Sequence, residues 1–316
     1  MREKALPARG SAGAGYAAVA TAAVLWAAGG AVARHIIGEG ASLLELTEAR
    51  AWISALVLCA MVWTNREAGR RGERSPLGLV VVFGLSIAAA NYCYYASLAR
   101  LPVAVAITIQ YTAPALVVGW TAIADRFRPS ARVLAALVCA VAGVALLAEL
   151  PAVLRGGHLR LSGAGIGFSI ASAFAFATYM VTGQRLGRSV GARGAVARGF
   201  VVAAVLWAGV QLARGRPDTL LQRRFLPWVL FLAIATTVVP FLLFVWGLER
   251  VPASNAGIVS TLEPLAAAVI AFTWLGERLS AGQVAGALMV LIGIGVVQLE
   301  RPAPDEVLVE RAAIGE

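Results

Sequence analysis

The sequence predicts an all-α integral membrane protein with ten transmembrane helices, arranged as two inverted five-helix repeats. Three observations carry that reading. Of 316 residues, 59% are hydrophobic and only 14% are charged, whereas a soluble domain carries about 25% charged residues. Apolar runs of about 18–22 residues recur along the whole chain, each long enough to cross about 30 Å of hydrocarbon. The two halves also align on each other at an offset of about 150 residues.

The apolar runs place spans at 16–34, 44–63, 77–98, 103–123, 131–149, 163–183, 194–213, 226–247, 253–275 and 281–299. Helices are expected because an isolated strand leaves its backbone unsatisfied in lipid, and no alternating ten-residue strand pattern occurs. The first span has some outline of a cleaved leader: Arg2, Lys4 and Arg9 precede it, and Ala31-Val32-Ala33 resembles a processing site. It is longer than a usual leader core, and Trp26 falls on Phe176 at the repeat offset, which makes it part of the repeat.

The repeat is clearest where 97–144 lies over 247–294 without a gap. Arg100 meets Arg250, Pro102 meets Pro252, Pro114 meets Pro264, Arg128 meets Arg278, Ser130 meets Ser280 and Gly143 meets Gly293. Alanine and valine matches carry little weight in this composition; matched prolines and arginines at fixed register carry much more. Five spans per repeat force the second repeat to cross the membrane upside down, the inverted-repeat design of many secondary transporters. The expected division is a cytoplasmic tail over 1–15, a first repeat over 16–150, a second over 151–299 and a cytoplasmic tail over 300–316.

Arginine placement orients the chain. The N-terminus, the 64–76 loop (Arg66, Arg70, Arg71, Arg74) and the 125–132 loop (Arg126, Arg128, Arg132) are basic, while the intervening loops offer Arg34 and Arg100. Both termini are then cytoplasmic. Arg185, Arg188 and Arg193 agree; Arg214, Arg216, Arg223 and Arg224 run against the rule. The net charge of +10 therefore reads as orientation signal and not as a nucleic-acid surface. Cys59, Cys93 and Cys139 are widely spaced, odd in number and inside apolar runs, so they form no disulfide framework. Asp125, Asp218 and Asp305 lie outside the apolar runs, and His35 and His158 sit near span ends. Catalysis by a metal cluster or a Ser–His pair finds no residues here. Gly163, Gly165 and Gly167 follow no strand and precede no Lys-Ser/Thr, so they form no phosphate loop. Neither a cofactor nor a metal is expected.

The segment Leu262-Glu263-Pro264, followed by Leu275-Gly276-Glu277-Arg278-Leu279 and a glycine-rich last helix, resembles the end of an EamA domain of the drug/metabolite transporter superfamily. "YYASLARLPVAVAITIQYTAPALV" in the first half resembles the same domain, so the likeness covers nearly the whole chain as two tandem domains. It implies a ten-helix inner-membrane carrier of small organic metabolites, often an exporter, with a central cavity between the repeats. Two places depart from the family pattern. Leu25-Trp26-Ala27-Ala28-Gly29 lacks the polar residue that usually follows Trp-Gly, and Arg126-Phe127-Arg128 stands where a Gly-Glu-Arg turn is usual.

Ionisable groups at mid-membrane cost about 2.5–3.5 kcal/mol even on a lenient insertion scale, so each one is a candidate. Glu263 lies about ten residues into its span, with Pro264 loosening the helix beside it. It is either a cavity carboxylate that binds a cation or proton, or a structural brace. Glu48 is a second coupling carboxylate. Arg50 is about 9 Å into its helix; snorkelling to the interface or an inter-helix pair is favoured over a part in transport. Asn91 and Tyr95 share a helical face. Gln110 precedes Pro114 by four and lies over Ser260 in the repeat. Asn91, Tyr95, Gln110, Tyr111, Ser260 and Glu263 are the expected substrate cavity, with Trp26 and Tyr179 as an aromatic wall and Pro114 and Pro264 as helix-loosening points. Tyr92 and Tyr94 point elsewhere on that helix, and Thr108 and Asn255 are second candidates. Gly282-x-x-x-Gly286 offers either a dimer face or close internal packing. The expected partners are a small-molecule substrate and the lipid bilayer, with protons as one coupling option, in a monomer or weak homodimer. Amino acids and related compounds lead as substrates, and export by alternating access leads as the activity. An intramembrane enzyme acting on lipid, or a passive membrane scaffold, are the alternatives.

Overall fold

A computed structural model describes residues 9–64, 76–98, 100–101, 103–124, 128–155, 162–214, 222–275 and 280–299. Residues 1–8 and 300–316, the 64–76 arginines, Asp125, Arg126, Phe127, His158, Arg216, Asp218 and residues 276–279 lie outside the described residues, while 9–15, expected in the N-terminal tail, begin the first helix. Among those described, every regular element is a helix.

In the first half these are α1 (Arg9–Gly38), α2 (Leu43–Thr64), α3 (Leu77–Leu98), α4 (Val103–Gln110), α5 (Ala113–Ala124), α6 (Ala131–Leu147) and the short α7 (Leu150–Arg155). The second half has α8 (Gly163–Arg214), α9 (Leu226–Ala233), a π turn (Ile234–Val238), α10 (Val239–Leu248), α11 (Ala253–Ser260), α12 (Leu262–Leu275) and α13 (Ala281–Leu299). Among the described residues seven helical stretches are long and apolar enough to cross a membrane. One of them, Gly163–Ala213, is 51 residues long. Two shorter apolar helices, Ala131–Leu147 and Ala281–Val297, complete the set.

The 51-residue stretch is two helices, which brings the number to the ten that the sequence predicts. Gly191 has φ 76 and ψ 156, a backbone that glycine alone adopts without strain. A Cβ on Gly183 would lie 2.9 Å from the Phe83 ring, and one on Gly199 2.6 Å from the same ring. Residues eight before and eight after Gly191 thus rest on one side chain of α3, so the chain doubles back there. The sequence reading ended the sixth span at 183. The helix instead continues to the hairpin, carrying exposed Arg185 and Arg188 outwards, with Arg193 exposed just past the turn.

The repeat is visible in atomic contacts. A Cβ on Gly15 would meet Arg250 Cβ at 2.9 Å and Val251, and one on Gly165 would meet Leu101 and Arg100 Cβ at 3.0 Å. These are the same contacts moved by the repeat offset. Arg100 donates to the Ala96 carbonyl at 2.7 Å and Arg250 to the Trp246 carbonyl at 2.7 Å, closing the ends of α3 and α10 alike. Ser130 caps α6 by accepting from the Val133 N–H at 3.2 Å. Ser280 caps α13 in the same way from Gln283, whose side chain accepts in return from the Ser280 N–H at 2.9 Å.

The last helices of the two repeats, α6 and α13, pack on each other backbone to backbone. A Cβ on Gly143 would lie 2.8 Å from the Gly286 carbonyl oxygen, and one on Gly293 2.8 Å from that of Ala136. Gly286 is therefore taken up inside the molecule, the close-packing option for the small-residue pair, whereas a Cβ at Gly282 would have its nearest neighbour at 3.7 Å. Gly143→Leu should lower the thermal midpoint and the yield of monodisperse protein, since overpacking costs about 1–3 kcal/mol. Gly119→Leu, at a position with open space around the added carbon, should leave both unchanged in the same size-exclusion and melting assays.

Candidate substrate site

Two breaks in the helices organise the polar interior. The fourth span divides between α4 and α5 at Tyr111–Thr112, and the ninth between α11 and α12 at Thr261. Each proline withholds the N–H that the carbonyl four residues earlier would accept. Neighbouring hydroxyls occupy nearby carbonyls instead: Thr112 donates to Ile109, Ser260 to Gly257 and Thr261 to Ile258, all at 2.6 Å. The two breaks meet, since a Cβ on Gly257 would touch the Pro114 ring at 3.2 Å.

Across this junction the Tyr111 hydroxyl donates to Glu263 Oε2 at 2.7 Å. Tyr111 is buried, and its bond joins the broken helix of one repeat to that of the other. Ser260 is fully buried with its hydroxyl turned onto its own helix. Gln110 is half-buried, and its Oε1 has no hydrogen-bond partner among the described residues.

A second polar group lies between α2, α3 and the π turn. Arg50 donates from Nε to Thr237 Oγ1 at 2.9 Å and from a terminal nitrogen to the Tyr95 hydroxyl at 3.0 Å. Of the two readings of Arg50, snorkelling and an inter-helix pair, the structure shows the side chain turned inward between helices, onto two hydroxyls. The π turn supplies one of them. Thr236 and Thr237 both donate to the Leu232 carbonyl, at 2.9 and 2.8 Å, and Ser54 donates to that of Ala233 at 3.2 Å. That wider turn sets Thr237 toward α2; π turns often mark functional sites.

Arg50 and Thr237 line a small cavity together with Thr47, Asn91, Ile87, Phe200 and Trp207. Asn91 donates its amide to the Ile87 carbonyl at 2.8 Å and faces the cavity beside Arg50. Glu48 is wholly buried on α2, next to Thr47. Trp26 and Tyr179 lie elsewhere, in a packed aromatic core. Trp26 sits 5.1 Å from Phe244 and 5.4 Å from Phe241, and Tyr179 stacks on Phe83 at 5.4 Å. The structure therefore brings Asn91 and Tyr95 around Arg50, and Tyr111 to Glu263. It leaves Ser260 facing its own helix and Trp26 and Tyr179 within the core. Asn255, of lower rank in the sequence, donates to the Tyr16 hydroxyl at 2.9 Å and braces α11 on α1. Thr237 and Thr47 were not singled out by sequence reasoning, and only the inward turn of Arg50 would have pointed to them.

The Tyr111–Glu263 bond is testable by a double-mutant cycle on purified protein. Tyr111→Phe should destabilise by about 1–3 kcal/mol, because the half-buried carboxylate of Glu263 loses its donor. In a Glu263→Gln background the same change should cost measurably less, and equal costs in both backgrounds would show that the two side chains do not interact.

Comparison with known proteins agrees with this architecture. The profile of the EamA-like transporter family matches residues 13–148 and again 163–299. The threonine/homoserine exporter RhtA of Salmonella typhimurium is 29% identical over 263 residues, covering 80% of this chain and 84% of that protein. RhtA of Escherichia coli K12 is 29% identical over 259 residues, covering 79% and 83%. The inner membrane transporter YicL of Salmonella typhimurium, itself uncharacterised, is 25% identical over 297 residues, covering 92% and 97%. One solved crystal structure superposes with a TM-score of 0.72 at 20% identity, over 94% of this chain and 98% of that one, and so shares the fold. Two matched domains span most of the sequence, and the chain belongs to the EamA-like transporter family of the drug/metabolite transporter superfamily.

Proposed function

We propose that this membrane transporter is an exporter of small organic metabolites, amino acids or close relatives of them, and works by alternating access in the inner membrane. The observation that carries the reading is a pair of opposite charges placed inside membrane-spanning helices, Arg50 from one repeat and Glu263 from the other, each held by hydroxyls. Intramembrane charges are costly, and such charges commonly mark substrate and ion paths. The exporter relatives support the direction of transport and the amino-acid class. The moving units are residues 16–150 and 151–299, rocking about the junction of the broken helices. Asn91, Tyr95, Gln110 and Tyr111 line the route, and both termini lie in the cytoplasm.

Reporter fusions at either terminus should read cytoplasmic; a periplasmic C-terminus would remove the ten-span topology. In proteoliposomes a labelled amino-acid panel should show exchange. If Glu263 couples flux to protons, Glu263→Gln should abolish accumulation driven by a pH gradient while exchange persists, because an amide mimics the protonated carboxyl. Gradient-driven transport that survives the change unaltered would remove the coupling role from Glu263 and leave Glu48 as the carboxylate to test.

A further inference from the structure

The cavity beside Arg50 holds about 20 Å³, room for about one water, so a metabolite fits there only after one end of the molecule opens. Two contacts between the repeats hold the ends. The turn after α10 lies on α1, where a Cβ on Gly15 would meet Arg250 and Val251. The turn after α3 lies on α8, where a Cβ on Gly165 would meet Leu101 and Arg100. Five spans separate these turns along the chain, so they face opposite sides of the membrane.

The backbones of the two turns are alike. The N–H groups of Arg100 and Leu101 donate to the Ser97 carbonyl at 2.9 and 2.8 Å, and those of Arg250 and Val251 to the Gly247 carbonyl at 2.8 and 3.0 Å. The side chains that fasten them differ. Beyond the α10 turn, buried Asn255 donates across the repeats to the Tyr16 hydroxyl at 2.9 Å. Gln184 of α8 steadies the same turn, donating to the Val251 carbonyl at 2.8 Å and to that of Leu248 at 3.2 Å. At the offset of 150, Tyr16 corresponds to Ile166 and Asn255 to Val105. Those two share an apolar cluster with Leu101. Arg100, which is exposed, adds a contact over the Phe168 ring at 5.0 Å, a weak attraction at such a site. One contact is thus hydrogen-bonded at one face and apolar at the other. A hydrogen bond fixes distance and angle, whereas apolar packing is non-directional and persists through small displacements.

We infer that Tyr16 and Asn255 form a latch that keeps the α10 turn shut, so that the opposite turn, at Arg100–Leu101, opens first. The inference rests on the transport reading and deepens it by giving the two entrances unequal stability. With the termini in the cytoplasm, the latched entrance faces the cytoplasm and the resting protein opens outward.

The test is hydrogen–deuterium exchange with mass spectrometry on the purified full chain in detergent. In the unaltered protein, peptides carrying Arg250 and Val251 should exchange roughly threefold or more slowly than those carrying Arg100 and Leu101, once intrinsic rates are divided out. The local backbone bonds are the same at both turns, so the difference reports the fastening. Equal rates, or the reverse order, would overturn the latch, and this comparison needs no variant to fold. Tyr16→Phe removes one hydroxyl, and Asn255→Val installs the residue of the other repeat. Either change should raise exchange at Arg250–Val251 roughly threefold or more and lower it at Arg100–Leu101, because alternating access lets one entrance open at the expense of the other. A rise at Arg250–Val251 alone, or at both turns, shows a local brace and overturns the proposal, as does no change at either. Flux of labelled amino acids and other metabolites in proteoliposomes separates the two readings. Flux without the reciprocal change removes the latch and leaves transport standing. If no metabolite of any class is carried, the transport reading fails, whatever the exchange data show.

Discussion

A proline in the middle of a membrane helix sets the terms for everything around it. Lipid offers no hydrogen bonds, so each carbonyl freed by a missing N–H needs an internal answer. At Pro114 and Pro264 the chain interrupts the helix three residues before the proline and lets nearby threonine and serine hydroxyls occupy carbonyls beside the gap. The interruption turns Tyr111 out of its own helix line toward Glu263. It also allows Gly257 to approach the Pro114 ring closely, so the two breaks support each other. The polar centre of the molecule follows from this backbone constraint, since a continuous helix would carry its side chains on past the junction.

The two repeats keep their scaffold alike and their interior different. Glycine contacts, arginine-closed helix ends and serine caps recur at one offset. These features hold backbones together, and backbone geometry is what an inverted repeat must preserve. The side chains facing the centre are free of that demand. Arg50 and Phe200, or Asn91 and Phe241, occupy equivalent places with opposite polarity. A symmetric polar interior would bury twice the charge, at several kcal/mol for each ion not fully compensated. A symmetric apolar one would bind no polar solute. The observed division keeps one charged wall and packs the other with rings worth about 0.5–1.5 kcal/mol per pair beyond their area.

Much of the fold is legible in the sequence because its signals are long and redundant. Ten apolar runs set the number of helices, and Pro114 and Pro264 mark both breaks before any coordinate is known. Glu263 is legible for a related reason, since a carboxylate deep in an apolar run is conspicuous. Arg50 was legible as a candidate, but its direction was left open between the interface and a neighbouring helix. Its depth of about two turns is compatible with either direction, and what decides between them is Thr237, a side chain 187 residues away. Thr237 in turn owes its position to a π turn, which leaves no trace in hydrophobic periodicity. The helical hairpin at Gly191 was hidden for the opposite reason. The polar stretch from Gln184 to Arg193 reads as a loop by composition, yet its arginines are exposed on helices that project beyond the apolar run. Composition reports solvent exposure there, and exposure does not distinguish a loop from a helix end.

The arrangement of charges also bears on how such a molecule can move. Where α6 and α13 touch through glycine, a small displacement drives backbone atoms into each other, so that contact resists sliding. Around Arg50 the contacts are two hydroxyl hydrogen bonds. Hydroxyls rotate and the guanidinium presents several donors, so partners can be exchanged here at little steric cost. Arg50 is tied to α3 through Tyr95 and to the π turn through Thr237, one from each repeat. Any relative motion of the repeats must therefore break or re-form one of those bonds, and a half-buried guanidinium that loses an acceptor inside the membrane is costly until another group replaces it. A group that can supply an acceptor at that point lowers the cost of the motion. That requirement connects occupancy of the cavity to rearrangement of the repeats through one side chain, without any rigid path between distant sites.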